Sequence, residues 1–239
     1  MNLTSLIKRC KKELESYLDI AKKYLEGLSI LAAFITSIYG LVKIRQLGKY
    51  SIFILLTTSA LIQTFYSSYF ILVLGREKSL NIVALSINIY LLVELIVISY
   101  FFYENIKNPK IKKTILLFNG SLSILLLIIL IIKKDFITIH YSLIAAYEAI
   151  MILINCIFIF VQILEDDSND SLRNSPDFII TAGIFFFFSI TCPVFILNTY
   201  FRNIYFIYDK IGIINNLGYL VLFLTILIAF QCKIRLKKS

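Results

Sequence analysis

Seven long apolar runs occupy most of the 239 residues and decide the solvent in which this chain folds. They cover residues 25–42, 51–74, 80–103, 114–132, 136–164, 178–197 and 211–231. Each is about as long as the ~20 residues that carry a helix across the hydrocarbon core of a bilayer. Hydrophobic residues make up 59% of the chain and its mean hydropathy is +0.84. The runs are continuous, whereas barrel strands read as short alternating segments. The expectation is an all-α polytopic membrane protein: a bundle of seven transmembrane helices (25–232), an amphipathic basic N-terminal helix (1–24) and a basic tail (233–239). No stretch is left for a separate soluble domain.

The formal net charge of +9 would suggest nucleic acid in a water-soluble protein. Here nearly all of the 24 Lys and Arg residues flank the apolar runs, where they meet anionic headgroups. The expected partner is therefore the lipid surface and not nucleic acid. Trp is absent, so Tyr24, Tyr50, Tyr100, Tyr103, Tyr200 and Tyr208 take the interfacial positions near helix ends. Four cysteines, Cys10, Cys156, Cys192 and Cys232, have neither metal-ligand nor redox spacing. With a single histidine, His140, no metal and no cofactor are expected. The start does not read as a cleaved signal peptide, since charged residues fill the first two dozen positions.

Within 1–24, Leu3, Ile7, Cys10, Leu14, Tyr17, Ala21 and Tyr24 recur at alternating four- and three-residue steps and share one stripe. An interfacial helix fits better than a three-heptad coiled coil between subunits, the competing account. Ser29, Ala33 and Ser37, and likewise Ala32, Thr36 and Gly40, place small residues at four-residue steps. That makes the first run a packing helix, internal or between copies of the chain. Pro193 interrupts the sixth run and marks a kink or hinge. The links are short, and no internal repeat of the kind seen in many transporters is visible. Lys and Arg divide evenly, twelve to each side of the membrane. Charges close to the runs, at 43–49, 107–113 and 233–238, put the C-terminus in the cytoplasm and the N-terminus outside.

The fifth run carries the sharpest polar signal. Tyr141, Glu148, Asn155 and Gln162 recur every seven residues, which returns a helix to nearly the same face. Such a stripe turns away from lipid, either as hydrogen-bonding glue between helices or as a binding path. Glu94 lies mid-run in the third segment as Glu148 does in the fifth, and no Lys or Arg sits at that depth to pair with them. The two acids are protonated, bind a cation, or share a network with Asn155, Gln63 and nearby tyrosines. His140 is a hydrogen-bonding residue near the interface or a pH-linked group. The acidic loop around Glu165, Asp166, Asp167 and Asp170 lacks EF-hand spacing and reads as a solvated link. No nucleophile–base pair or phosphate loop is visible, so no enzyme activity is expected. Retinal photochemistry is not expected, because 211–231 contains no Lys for a Schiff base and Lys210 and Lys233 lie only at its edges.

Three segments carry a likeness to a known group: Gly40 to Leu47 (GLVKIRQL), Asn88 to Glu94 (NIYLLVE), and Ser175, Pro176, Asp177 and Phe178 ahead of Gly183. With these the chain resembles a group of Bacteroidetes-type seven-helix integral membrane proteins of uncharacterised activity. The group often has Trp after that Phe, where this chain has Ile179. The resemblance implies a sensory or signalling accessory, encoded near two-component regulators, with Glu94 as its site candidate. The expected function is thus a receptor-like membrane protein that binds a small ligand or proton in the bundle and signals to a partner. A small transporter or oligomeric pore, including a membrane-disrupting effector, is the alternative, and an intramembrane lipid enzyme the third. Expected site residues are Glu94, Glu148, Asn155, Gln162, Tyr141 and Gln63, with Gly40 and Pro193 in packing or hinge roles.

Overall fold

A computed structural model describes residues 3–132, 140–165, 175–201 and 205–237. Among them there is no strand. The helices are α1 (Leu3–Val42), α2 (Ile44–Leu47), a 3-10 turn (Gly48–Ser51), α3 (Ile52–Leu74), α4 (Arg76–Asn105), α5 (Pro109–Ile132), α6 (His140–Leu164), α7 (Pro176–Phe201) and α8 (Tyr205–Leu236). Six segments are long and apolar enough to cross a membrane: Ser16–Val42, Ile44–Leu74, Leu85–Asn105, Ala145–Leu164, Pro176–Val194 and Gly212–Leu236. This is the pattern of a multi-pass membrane protein. Large side chains such as Leu72 (86% exposed) and Ile62 (68%) stand on the outer surface, as lipid permits and water does not. The apolar stretch of α5 lies partly outside the described side chains and is not among the six.

Helix α1 is continuous for 40 residues, about 60 Å at 1.5 Å per residue. That is roughly twice the ~30 Å hydrocarbon thickness. No turn separates the N-terminal segment from the first span. The expected link at 43–50 is also helical. Gly48 (φ 58°) and Gly75 (φ 77°) take left-handed conformations where the chain reverses, positions at which a side chain would be strained.

The spans form a ring in the order α1, α3, α4, α6, α7, α8, closing on α1, and α5 packs chiefly outside α4. Side-chain pairs fix the directions. Phe53 meets Phe101, so α3 and α4 are antiparallel; Thr36 meets the carbonyl of Phe223 as Gly40 meets Phe230, so α1 and α8 are parallel. Helix α4 runs parallel to α6, since the two end together at Asn105 and Gln162.

Lipid supplies no hydrophobic drive between helices, so the contacts are close and polar. Thr36 Oγ1 donates to Ala32 O at 2.7 Å and to Phe223 O at 3.2 Å. Ser37 Oγ donates to Thr57 Oγ1 at 2.8 Å. A Cβ on Gly40 would lie 2.6 Å from Ile54 Cγ1 and 3.0 Å from Phe230 Cε2, and one on Gly183 would overlap the Thr225 side chain. The small residues of α1 are thus buried within the chain, against α3 and α8, and do not form an outer seam. Pro193 is exposed in α7, and the helix continues through it.

Candidate functional site

Two mid-span acids are buried inside the ring. Glu94 on α4 is 1% exposed and Glu148 on α6 is 2% exposed. Their carboxyls are within electrostatic range of one another, across the contact between these two parallel helices. Tyr90, one turn before Glu94, donates its hydroxyl to Glu94 Oε1 at 3.3 Å. Glu148 Oε1 and Asn155 Nδ2 are buried with no hydrogen-bond partner. Among the described residues Ser99 Oγ and Asn119 Nδ2 are buried in the same way, and such atoms are uncommon in folded proteins.

Tyr90 also faces a half-open cavity of about 250 Å³ between α1, α3, α4 and α8. Much of its wall is polar. Glu26 and Ser29 come from α1, Gln63, Thr64 and Ser67 from α3, and Asn215, Asn216 and Tyr219 from α8. Gln63 Nε2 donates to Ser67 Oγ at 3.0 Å, and Ser67 pairs with Ser86 of α4 at the same distance. The Tyr90 and Tyr219 rings meet edge to face at 6.0 Å, and Tyr219 stacks on Phe223 at 5.7 Å. Neither Glu94 nor Glu148 lines this cavity. Tyr90 is the link, with its side chain on the cavity wall and its hydroxyl on Glu94.

A second polar cluster sits at one end of the bundle. Lys49 pairs with Asp177 at 3.2 Å and donates to Asn105 Oδ1. Tyr50 donates to Asp177 Oδ1 at 2.8 Å. Gln162 Nε2 donates to Asn105 O at 2.8 Å, and Gln162 Oε1 accepts from Lys107 N at 2.7 Å. These bonds tie the starts of α3 and α7 to the ends of α4 and α6. The ammonium of Lys233 near the end of α8 lies 5.6 Å from the Tyr50 ring centre.

The polar stripe of α6 therefore divides by depth. Glu148 and Asn155 are buried in the ring, while Gln162 caps the end of α4 in the clasp. The side chains of Tyr141 and His140 lie outside the described residues, as do residues 166–174 of the acidic loop. Gln63 lines the cavity. Tyr50 is not an interfacial anchor but a buried clasp residue at 4% exposure. Sequence reasoning did not single out Tyr90, Tyr219, Glu26, Asn215 or Asn216 as site residues. The adjacent amides Asn215 and Asn216, early in an apolar run, were the available signal. Among the described residues no group of His, Cys, Asp or Glu could hold a metal ion. No family model, no curated protein and no solved structure matches this chain.

Proposed function

We propose that the protein is a receptor-like signalling accessory with seven membrane spans. A proton or small ligand would be taken up inside the ring and reported to a cytoplasmic or membrane partner. The observation that carries this reading is the two buried acids Glu94 and Glu148, the first of them bonded to Tyr90, which lines a polar cavity. Placing two carboxyls inside a bilayer is costly and marks ion or ligand pathways more often than packing. A change of charge on that pair alters the α4–α6 contact, and the clasp of Lys49, Asp177, Asn105 and Gln162 ends the same two helices.

The seventh crossing is α5. Helices α4 and α6 run the same way, which a return of the chain through α5 would explain. The 24 residues of α5 reach about 36 Å, enough for one crossing. The clasp end gathers Lys43, Arg45, Lys49, Lys107, Lys110, Lys233 and Arg235, and we place it in the cytoplasm. The exposed row Tyr17, Ile20, Tyr24 and Leu28 on α1 would rest on the bilayer or on a second copy of the chain.

A dye on Cys232, near the clasp, tests the coupling in a Cys10→Ser background; Cys156 and Cys192 are buried. An acid step should change the dye signal of the parent protein in liposomes, and Glu94→Gln/Glu148→Gln should abolish the change. An equal response in both proteins rejects the reading. A transporter is the second reading, favoured by a cavity open at one end and a clasp closing the other. Proton flux into proteoliposomes after the same acid step would establish it.

A further inference from the structure

We infer that the cavity between α1, α3, α4 and α8 is a binding site for a small molecule bearing an ammonium group. This rests on the reading of the bundle as a ligand-binding receptor and names the class of ligand. Charge comes first. Among the described residues Glu26 is the one carboxyl on the wall, and no Lys or Arg lines it. Lys22, one turn earlier on α1, is directed over the start of α8, where a Cβ on Gly212 would lie 3.0 Å from its Cε. Lys22 has an interaction partner of its own.

The shape of the wall agrees with the charge. Tyr90, Tyr219 and Phe223 form one aromatic panel, and Tyr219 and Phe223 are inclined by only 18°. Aromatic faces attract cations, most strongly where water is excluded. Amides with acceptor capacity left over stand beside this panel, Asn215 and Asn216 one turn before Tyr219 on the same face of α8 and Gln63 on α3. Asn215 and Asn216 make no side-chain hydrogen bond among the described residues, and Gln63 uses its amino group on Ser67. An anion would find no cationic side chain among the described lining residues, and an apolar guest would strand the amides. The volume of about 250 Å³ is below the range of drug-sized pockets and suits a ligand of a few heavy atoms. A free amine and the headgroup of a zwitterionic lipid share this chemistry.

Calorimetric titration of the full chain in detergent with choline, ethanolamine and the uncharged tert-butyl isostere of choline tests the site. At least one ammonium compound should bind, and the isostere should bind about tenfold more weakly, the worth of cation–π and ion-pair contacts. Glu26→Gln, an exposed substitution that leaves the ring intact, should weaken choline or ethanolamine binding about fivefold, with unchanged thermal unfolding. Absence of binding by both ammonium compounds, equal binding of the isostere, or indifference to Glu26→Gln overturns the inference. Repeating the titration in nanodiscs identifies the source. Weakened affinity in discs containing phosphatidylethanolamine, relative to discs of phosphatidylglycerol alone, assigns a lipid headgroup; equal affinity assigns a free solute. Choline binding without a Cys232 dye response keeps the site and removes proton-linked signalling. A dye response without ammonium binding does the reverse.

Discussion

At the scale of single residues, the two buried acids differ in what they touch, and that difference is measurable. Glu94 accepts the Tyr90 hydroxyl, whereas Glu148 Oε1 has no partner. Glu148→Met keeps the volume and removes an unpartnered buried oxygen, so it should leave stability unchanged or raise it by up to about 2 kcal/mol. Glu94→Met removes a hydrogen bond from the Tyr90 hydroxyl and should lower stability by about 0.5–1.5 kcal/mol. Thermal unfolding in detergent reads both, and an Glu148→Met protein less stable than Glu94→Met would contradict the assignment. These two acids were legible in the sequence because a carboxyl in the middle of an apolar run stands out against lipid. Tyr90 was not, although it lies within the quoted NIYLLVE segment. Its role depends on a bond to Glu94 and a ring contact with Tyr219, which is far away in the chain.

At the scale of helices, the closest approaches set the sensitivity to substitution. Gly183 of α7 and Gly218 of α8 leave no room for a side chain; a Cβ on Gly218 would lie 2.8 Å from Phe187 Cδ2. Gly183→Ala should lower stability by about 1–3 kcal/mol through forced separation of α7 and α8. Adding Thr225→Ala to it should restore part of that loss, as a double-mutant cycle on thermal unfolding would show. In the clasp, both partners of Lys49–Asp177 are about a third exposed, at 33% and 30%, so the ion pair itself is worth about 0–1 kcal/mol. The bond from buried Tyr50 to the Asp177 carboxylate is the larger contribution, about 1.5–3 kcal/mol. Asp177→Asn, which still accepts from Tyr50, should therefore be milder than Asp177→Ala, and a chemical denaturation series in mixed micelles measures the gap. Apolar length located the helices in the sequence, yet their ends escaped it. The 43–50 link is helical because Leu47 and Tyr50 are buried by neighbours that only the assembled bundle supplies.

For the whole molecule, the order of helices around the ring is not the order in the chain. Helix α5 leaves the ring to α4 and α6, which buries Glu94 and Glu148 on two helices in contact. The proposed orientation predicts that a fluorescent protein fused after Ser239 lights up in the cytoplasm, while a periplasmic phosphatase at the same place stays inactive. The opposite pair of results would invert the topology and place the cavity mouth in the cytoplasm. What the sequence determined by itself was the solvent, the helical class and the two costly acids, because a bilayer imposes length and polarity on each segment independently of its neighbours. Only the tertiary structure decided that Glu94 reaches a cavity through Tyr90, that Gln162 belongs to a clasp, and that the small residues of α1 pack inward. Those outcomes depend on which faces of distant segments meet, and in lipid that is settled by close packing and paired polar groups, not by hydrophobicity along the chain.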